Sequence, residues 1–123
     1  MCGIIGYIDK KNPIDIKRFN RMRDRLEHRG PDGKGTVLLK NEMVGLGHRR
    51  LSIVDLSNSA TQPMTNSDSS IWLTFNGEIY NYKMLRTELV NKNYKFKSKS
   101  DSEVLIHGYD EWGMDGLLDR IDG

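Results

Sequence analysis

The amino-acid sequence predicts an α+β fold. Apolar runs with strand composition and amphipathic stretches with helical spacing both occur along the chain. They follow no regular strand–helix–strand alternation. Such an irregular order favours antiparallel layers over a doubly wound parallel sheet.

The elements follow in order. Cys2 to Ile8 is apolar with β-branched residues and reads as a buried strand. Asn12-Pro13 opens a helix, proline being tolerated in a first turn. Ile16, Phe19, Met22 and Leu26 then form one apolar stripe at helical spacing. His28 to Gly35 holds three glycines and a proline and reads as a loop. Thr36–Lys40 and Met43–His48 are strands about an Asn41-Glu42 turn. Leu51 to Val54 is extended or irregular, and Ser57 to Ser70, rich in Ser, Asn and Thr, is a long loop. Ile71 to Phe75 reads as a strand, and Asn76-Gly77 turns the chain through a glycine that tolerates positive φ. Tyr82, Leu85 and Leu89 mark a second helix, and Tyr94 to Lys97 a short strand. Ser100 with Glu103 has the spacing of a capping box. Val104, Leu105, Tyr109 and Trp112 stripe a third helix.

Composition narrows the function classes. A chain of 123 residues is expected to form one domain. Its 37% hydrophobic and 29% charged residues are those of an ordinary globular protein. A net charge of +2 is too weak a field to imply a nucleic-acid or membrane partner. A single cysteine excludes an internal disulfide. Apolar runs such as Val37–Leu39 are far short of the roughly 20 residues a spanning helix needs. The N-terminus lacks the charged and apolar regions of a signal peptide, so the expected compartment is the cytoplasm. His28, His48 and His107 lie too far apart in sequence for a zinc pattern, and no metal is expected. Lysines 92, 95, 97 and 99 alternate with Tyr94 and Phe96, which reads as a strand with one solvated face.

The sole cysteine sits at position 2. Removal of Met1 would place its thiol beside a free α-amine, whose pKa of about 8 suits it to accept the thiol proton. Taken alone, such a cysteine is more often a buried structural residue. Its company changes that reading. Cys2-Gly3-Ile4-Ile5-Gly6 is followed by His28-Arg29-Gly30-Pro31-Asp32-Gly33, His48 to Leu56, Gln62-Pro63-Met64, Asn76-Gly77-Glu78-Ile79-Tyr80-Asn81 and Ser100 to Val104. This ordered set resembles the N-terminal glutaminase domain of the glutamine-hydrolysing asparagine synthetases. These are class II glutamine amidotransferases of the N-terminal-nucleophile type. Amidotransferases that make aminated sugars share the Cys2 start but are less similar at Arg50–Leu56 and Asn76–Asn81.

The resemblance implies an αββα sandwich of two antiparallel sheets. It implies that Cys2 attacks the side-chain amide of L-glutamine, while the Asn76 side chain and the Gly77 N–H form the oxyanion hole. Arg50 would grip the substrate carboxylate, Asp101 its ammonium group, and Glu78 would share that pocket. The backbone of Leu51, Ile53 and Val54 would line it. The Arg29–Asp32 loop receives no chemical role. No cofactor is expected in this chain. ATP and magnesium would belong to a synthetase domain, acting in cis or in trans. The family's core continues past Gly123, so the second sheet is expected to be incomplete. The isolated chain is then expected to self-associate, for instance as a homo-oligomer, and to be a poor enzyme. Two other readings stay open: a catalytically silent remnant or interaction module, and a glutaminase serving another carboxylate or a sugar.

Overall fold

Lys40, Asn41 and Glu42 all take positive φ, at 51°, 56° and 65°, and this tight reversal closes the hairpin around which the N-terminal half is built. The computed structural model describes residues 1–52 and 58–123. The described part of the chain is α+β, with two antiparallel sheets and three helices. It divides into two compact units. The first takes in Met1–Ser52, Thr61–Pro63 and Thr74–Asn76. The second holds the Asn58–Ala60 3-10 turn, Met64–Leu73 and Gly77–Gly123.

In the first unit, β1 (Gly3–Ile8), β2 (Gly33–Leu39) and β3 (Val44–Arg50) pair in the order β1-β3-β2. Gly3 stands opposite Arg49, and Gly33 opposite Arg50. Helix α1 (Ile16–Asp24) starts at Asp15, whose carboxylate accepts the N–H groups of Lys17 and Arg18 at 2.9 and 3.1 Å. Its first turn therefore lies just past Pro13 rather than on it. Only Phe19 of the expected stripe is fully buried, while Ile16 and Met22 are each 41% exposed. The Phe19 ring lies over Gly45 and Gly47 of β3, and Arg23, one turn on, takes the other buried place. Arg23 donates to Asp24 at 2.9 and 3.1 Å and to Thr36 at 2.7 Å.

β1 is not the buried strand its composition suggests. Among the described residues it is an edge strand paired only with β3, and Ile4, Tyr7 and Ile8 are exposed. β2 begins at Gly33, so two of the glycines read as loop lie in a strand. Gly35 is there for close approach: a Cβ on it would overlap the backbone carbonyl of Gln62.

The second unit contains β4 (Met64–Thr65) paired with β5 (Trp72–Leu73), α2 (Tyr82–Asn91) and α3 (Glu103–Leu118). The expected strand over 71–75 shrinks to β5 because side chains take over the backbone pairing at its start. Asn66 Oδ1 accepts the Ile71 N–H at 3.1 Å, and Thr65 Oγ1 donates to the Ile71 carbonyl at 2.7 Å. Gly77 turns the chain without positive φ; among the described glycines only Gly113 has a positive φ, at 70°, where it breaks α3. Leu85, Leu89, Val104 and Ile106 form the packed core. Tyr94 to Lys97 is not a strand. Its aromatic residues instead stack on His107, with ring centroids 5.2 Å (Tyr94) and 4.6 Å (Phe96) away. Lys92, the first of the lysine run, pairs with Glu111 at 2.7 Å.

The capping box is half made: Ser100 Oγ accepts the Ser102 N–H at 3.2 Å, but Glu103 does not return to the Ser100 N–H, which donates to Ser98 Oγ. Ser102, the cap residue, makes no side-chain cap bond. Glu103 turns instead to the 97–98 segment, accepting Lys97 N, Ser98 N and Ser98 Oγ at 2.8, 2.8 and 2.6 Å. Burial alone would raise this carboxyl. The His107 ring, the Ser98 hydroxyl and those N–H groups outweigh burial and draw it down to about 2.

Two predictions follow from this packing. Gly35→Ala is expected to destabilise by about 1–3 kcal/mol or more, because the methyl overlaps backbone. Gly6→Ala, whose nearest neighbour would be Leu46 Cδ2 at 3.9 Å, is expected to stay within about 0.5 kcal/mol of the parent. Denaturant midpoints of the two variants check the contrast, and equal midpoints would refute it. For Glu103 the folded value lies below the ordinary 4.5, so its stabilisation is complete above that pH and is lost as pH falls toward about 2. Glu103→Gln should therefore lower the melting temperature at neutral pH and flatten its decline across that acid range. Melts recorded across the range read this out; a variant with the parental acid slope would contradict it.

Candidate active site

The chemistry-bearing residues of the first unit gather at the end of β3. Cys2 is half-buried and precedes the first residue of β1. Antiparallel pairing sets Gly3 opposite Arg49, so Cys2 meets the chain just beyond β3. The Leu51 N–H donates to Cys2 Sγ at 3.3 Å, and the thiol lies 3.7 Å from the Leu51 carbonyl. Backbone rather than a mobile side chain thus holds the sulfur. The fold thus brings Leu51 to Cys2.

The two adjacent arginines part company by strand alternation. Arg49 is 4% exposed; it donates to the Gly30 carbonyl at 3.0 Å and pairs with Asp24 at 3.3 Å and Glu27 at 2.9 Å. It is spent on structure. Arg50 projects to the opposite face of the strand and is half-buried.

The loop that received no role builds the surroundings of Cys2. Arg29 Nε donates to the Cys2 carbonyl at 3.2 Å. The Asp32 N–H donates to the Arg50 carbonyl at 2.9 Å, and Asp32 Oδ2 accepts the Ser52 N–H at 2.8 Å. The loop therefore ties down Cys2, Arg50 and Ser52 together. The sequence did carry a signal for this: an arginine and an aspartate inside a glycine- and proline-punctuated loop directly before a strand.

Asn76 is half-buried and is the last residue of the first unit's final segment, Thr74–Asn76. That segment is tied to residues of the sheet and of the Thr61–Pro63 stretch. Thr74 Oγ1 lies 3.0 Å from His48 Nδ1, and the Phe75 N–H donates to Gln62 Oε1 at 2.6 Å. His48 is 1% exposed. Burial first, and the charge of Arg50 second, push its imidazole down to about 4, so it is neutral at physiological pH.

Gly77, Glu78 and Asp101 belong to the second unit. Gly77 and Glu78 are exposed. Asp101 is buried, and its Oδ2 accepts the Ile79 N–H at 2.9 Å, which fixes the backbone beside Glu78. The Ser100 and Ser102 hydroxyls each lie 3.4 Å from its Oδ1. Ile53 and Val54 lie outside the described residues.

Among the described residues, no cluster of three or more His, Cys, Asp or Glu side chains could hold a metal ion. No described helix is long and apolar enough to cross a membrane. What the first unit offers chemically is a backbone-held thiol near the surface, a half-buried guanidinium at the same strand end, and a side-chain amide on a separately anchored segment.

The chain is 42% identical to asparagine synthetase [glutamine-hydrolyzing] 1 of Arabidopsis thaliana, over 100% of its own length and 20% of that protein's. It is 44% identical to asparagine synthetase [glutamine-hydrolyzing] 1 of Bacillus subtilis (strain 168), over 89% of this chain and 17% of the relative. A putative asparagine synthetase [glutamine-hydrolyzing] 1 of Methanocaldococcus jannaschii is 41% identical over 100% of this chain and 25% of its own. The chain thus spans about a fifth of the length of these relatives. The glutamine amidotransferase domain family matches residues 1–123, the whole chain, and to that family the chain belongs.

Proposed function

We propose that this chain is the glutaminase part of a glutamine-hydrolysing asparagine synthetase. The observation that carries the reading is the sole cysteine at position 2, its sulfur held by the Leu51 backbone, in a chain of the glutamine amidotransferase family. Loss of Met1, which is exposed, frees the Cys2 α-amine to act as base. The amine takes the thiol proton and the sulfur attacks the amide carbon of L-glutamine. The C–N bond breaks, the nitrogen takes the proton and leaves as ammonia, and a thioester remains. Water then attacks the thioester carbon, glutamate departs, and the thiol is restored.

Negative charge appears on the amide oxygen in both halves. The Asn76 amide and the Gly77 N–H receive it, each such donor being worth roughly 3–4 kcal/mol. Arg50 grips the substrate α-carboxylate, for which a planar fork suits better than an ammonium. Asp101 and Glu78 hold the α-ammonium, and the backbone of Leu51, Ile53 and Val54 lines the pocket. The ammonia passes to ATP-dependent amidation of aspartate in a synthetase domain, in the cytoplasm. That step is supported by the relatives, glutamine-hydrolysing asparagine synthetases of which this chain spans only about a fifth. ATP and magnesium are assigned to that domain.

Cys2→Ala is expected to lower ammonia release from glutamine by roughly three orders of magnitude or more, with glutamine binding retained. Cys2→Ser should be badly impaired as well, a hydroxyl being the poorer nucleophile. Mass spectrometry of the N-terminus in parallel should find Met1 removed. A Cys2→Ala protein that releases ammonia at the parental rate would overturn the reading.

A second prediction concerns selection of the substrate. Removing one partner of a buried charge pair costs roughly 2–5 kcal/mol, so Arg50→Leu should raise the KM for glutamine by about thirtyfold or more. Asp101→Asn should raise it less. The asparagine oxygen can still accept the Ile79 N–H, so this change removes charge while sparing the scaffold. If a glutamine analogue without its α-charges were hydrolysed as fast as glutamine, the roles of Arg50 and Asp101 would be wrong.

A further inference from the structure

The segment that carries Asn76 has an unusual support. β5 ends at Leu73, and no strand pairs with residues 74–76 among the described residues. Its place is set by side chains instead. His48 Nδ1 lies 3.0 Å from Thr74 Oγ1, and Gln62 Oε1 accepts the Phe75 N–H at 2.6 Å. Both anchoring side chains are buried, His48 at 1% and Gln62 at 6% exposure. A buried polar group is costly unless a partner repays the lost water.

The anchors are themselves fixed to the sheet. His48 lies in β3, the central strand, directly opposite Gly35 of β2. The missing side chain of Gly35 admits the Gln62 backbone. Thr74 and Gln62 thus come down on two cross-strand neighbours. The hydroxyl of Thr74 also lies 3.5 Å from the Gly47 carbonyl. With its proton turned that way, the oxygen accepts from His48 Nδ1–H, which selects one tautomer. His48 Nε2 then has no partner. A leucine would fill the same volume without that cost. What the imidazole adds is its bond to Thr74.

We propose that His48, Thr74 and Gln62 are positioning residues for Asn76: two side-chain hydrogen bonds seated on the sheet hold the 74–76 segment so that the Asn76 amide meets the developing oxyanion. This rests on the oxyanion role of Asn76 given above. None of the three touches the reacting atoms. An oxyanion donor works only if it is held where charge will appear, and displacement of a fraction of an ångström forfeits most of its effect. Ground-state binding of glutamine uses Arg50 and Asp101 and is indifferent to this clamp. Loosening it should reach kcat and spare KM.

The test uses Thr74→Val, Gln62→Met, His48→Asn and His48→Leu in the complete protein that carries this chain. Asparagine can place a donor near the position of Nδ1; leucine cannot. Thr74→Val, Gln62→Met and His48→Leu are expected to lower kcat for ammonia release roughly tenfold with KM within about twofold. His48→Asn is expected to stay within about threefold of the parent. The aldehyde analogue of glutamine supplies the readout that a merely structural role would not move. Its carbonyl carbon bonds to Cys2 sulfur, and the thiol proton passes to solvent as the oxygen becomes an oxyanion. Its affinity should fall by the same factor as kcat. Should His48→Leu fail to fold, Thr74→Val, which replaces one hydroxyl by a methyl on a half-buried residue, decides the matter. Parental kcat and aldehyde affinity in both Thr74→Val and Gln62→Met would overturn the inference, as would a loss confined to KM. If Cys2→Ala were also active, the glutaminase reading itself would fall; if Cys2→Ala is dead while Thr74→Val is parental, only the clamp falls.

Discussion

Backbone pairing of β3 on both of its edges is the constraint from which the first unit follows. A strand with both neighbours in register has no freedom to slip, because a shift of one residue would turn every side chain to the other face. That register sends Arg49 toward α1 and Arg50 away from it. It sets Gly3, and so Cys2, against the end of the strand, where the Leu51 N–H reaches the sulfur. It also seats His48 opposite Gly35, the two places where the 74–76 and 61–63 stretches come down on the sheet.

Polar groups do much of the holding, in two different ways. Beside α1, Arg23 and Arg49 are nearly buried but face carboxylates of Asp24 and Glu27 that keep contact with water. Their desolvation is therefore partial, and the pairs act more to orient α1 on β3 than as a large store of stability. In the second unit, Glu103 is fully committed to N–H groups and a hydroxyl. A carboxylate with several donors replaces the backbone pairing that the 97–98 segment lacks.

The setting of Cys2 follows the same logic. Backbone atoms of Leu51 place the sulfur, and Arg29 holds the Cys2 carbonyl, so little side-chain entropy remains to be lost when a substrate arrives. The Arg29–Asp32 loop braces three backbone positions around the thiol. The acidic side of the proposed pocket is preset in its own unit, with Asp101 already bonded to the backbone next to Glu78.

The sequence by itself determined the class of fold, the hairpin about Asn41-Glu42, the three helices and the roster of candidate site residues. These depend on local pattern and on ordered motifs, which survive without coordinates. Tertiary structure decided the rest, because it depends on neighbours distant in the chain. Composition made β1 look buried; its position at a sheet edge exposes it. Glycines 33 and 35 looked like loop residues, and one of them is a strand residue pressed against Gln62. Glu103 had the spacing of a helix cap and instead braces the chain before the helix. Arg49 and Arg50 are neighbours of one type in sequence, and only the pleat of β3 separates the buried arginine that pairs with Asp24 and Glu27 from the half-buried one on the opposite face. The bonds of His48 to Thr74 and of Gln62 to Phe75 span 26 and 13 residues, separations at which side-chain geometry leaves no periodic trace in a sequence.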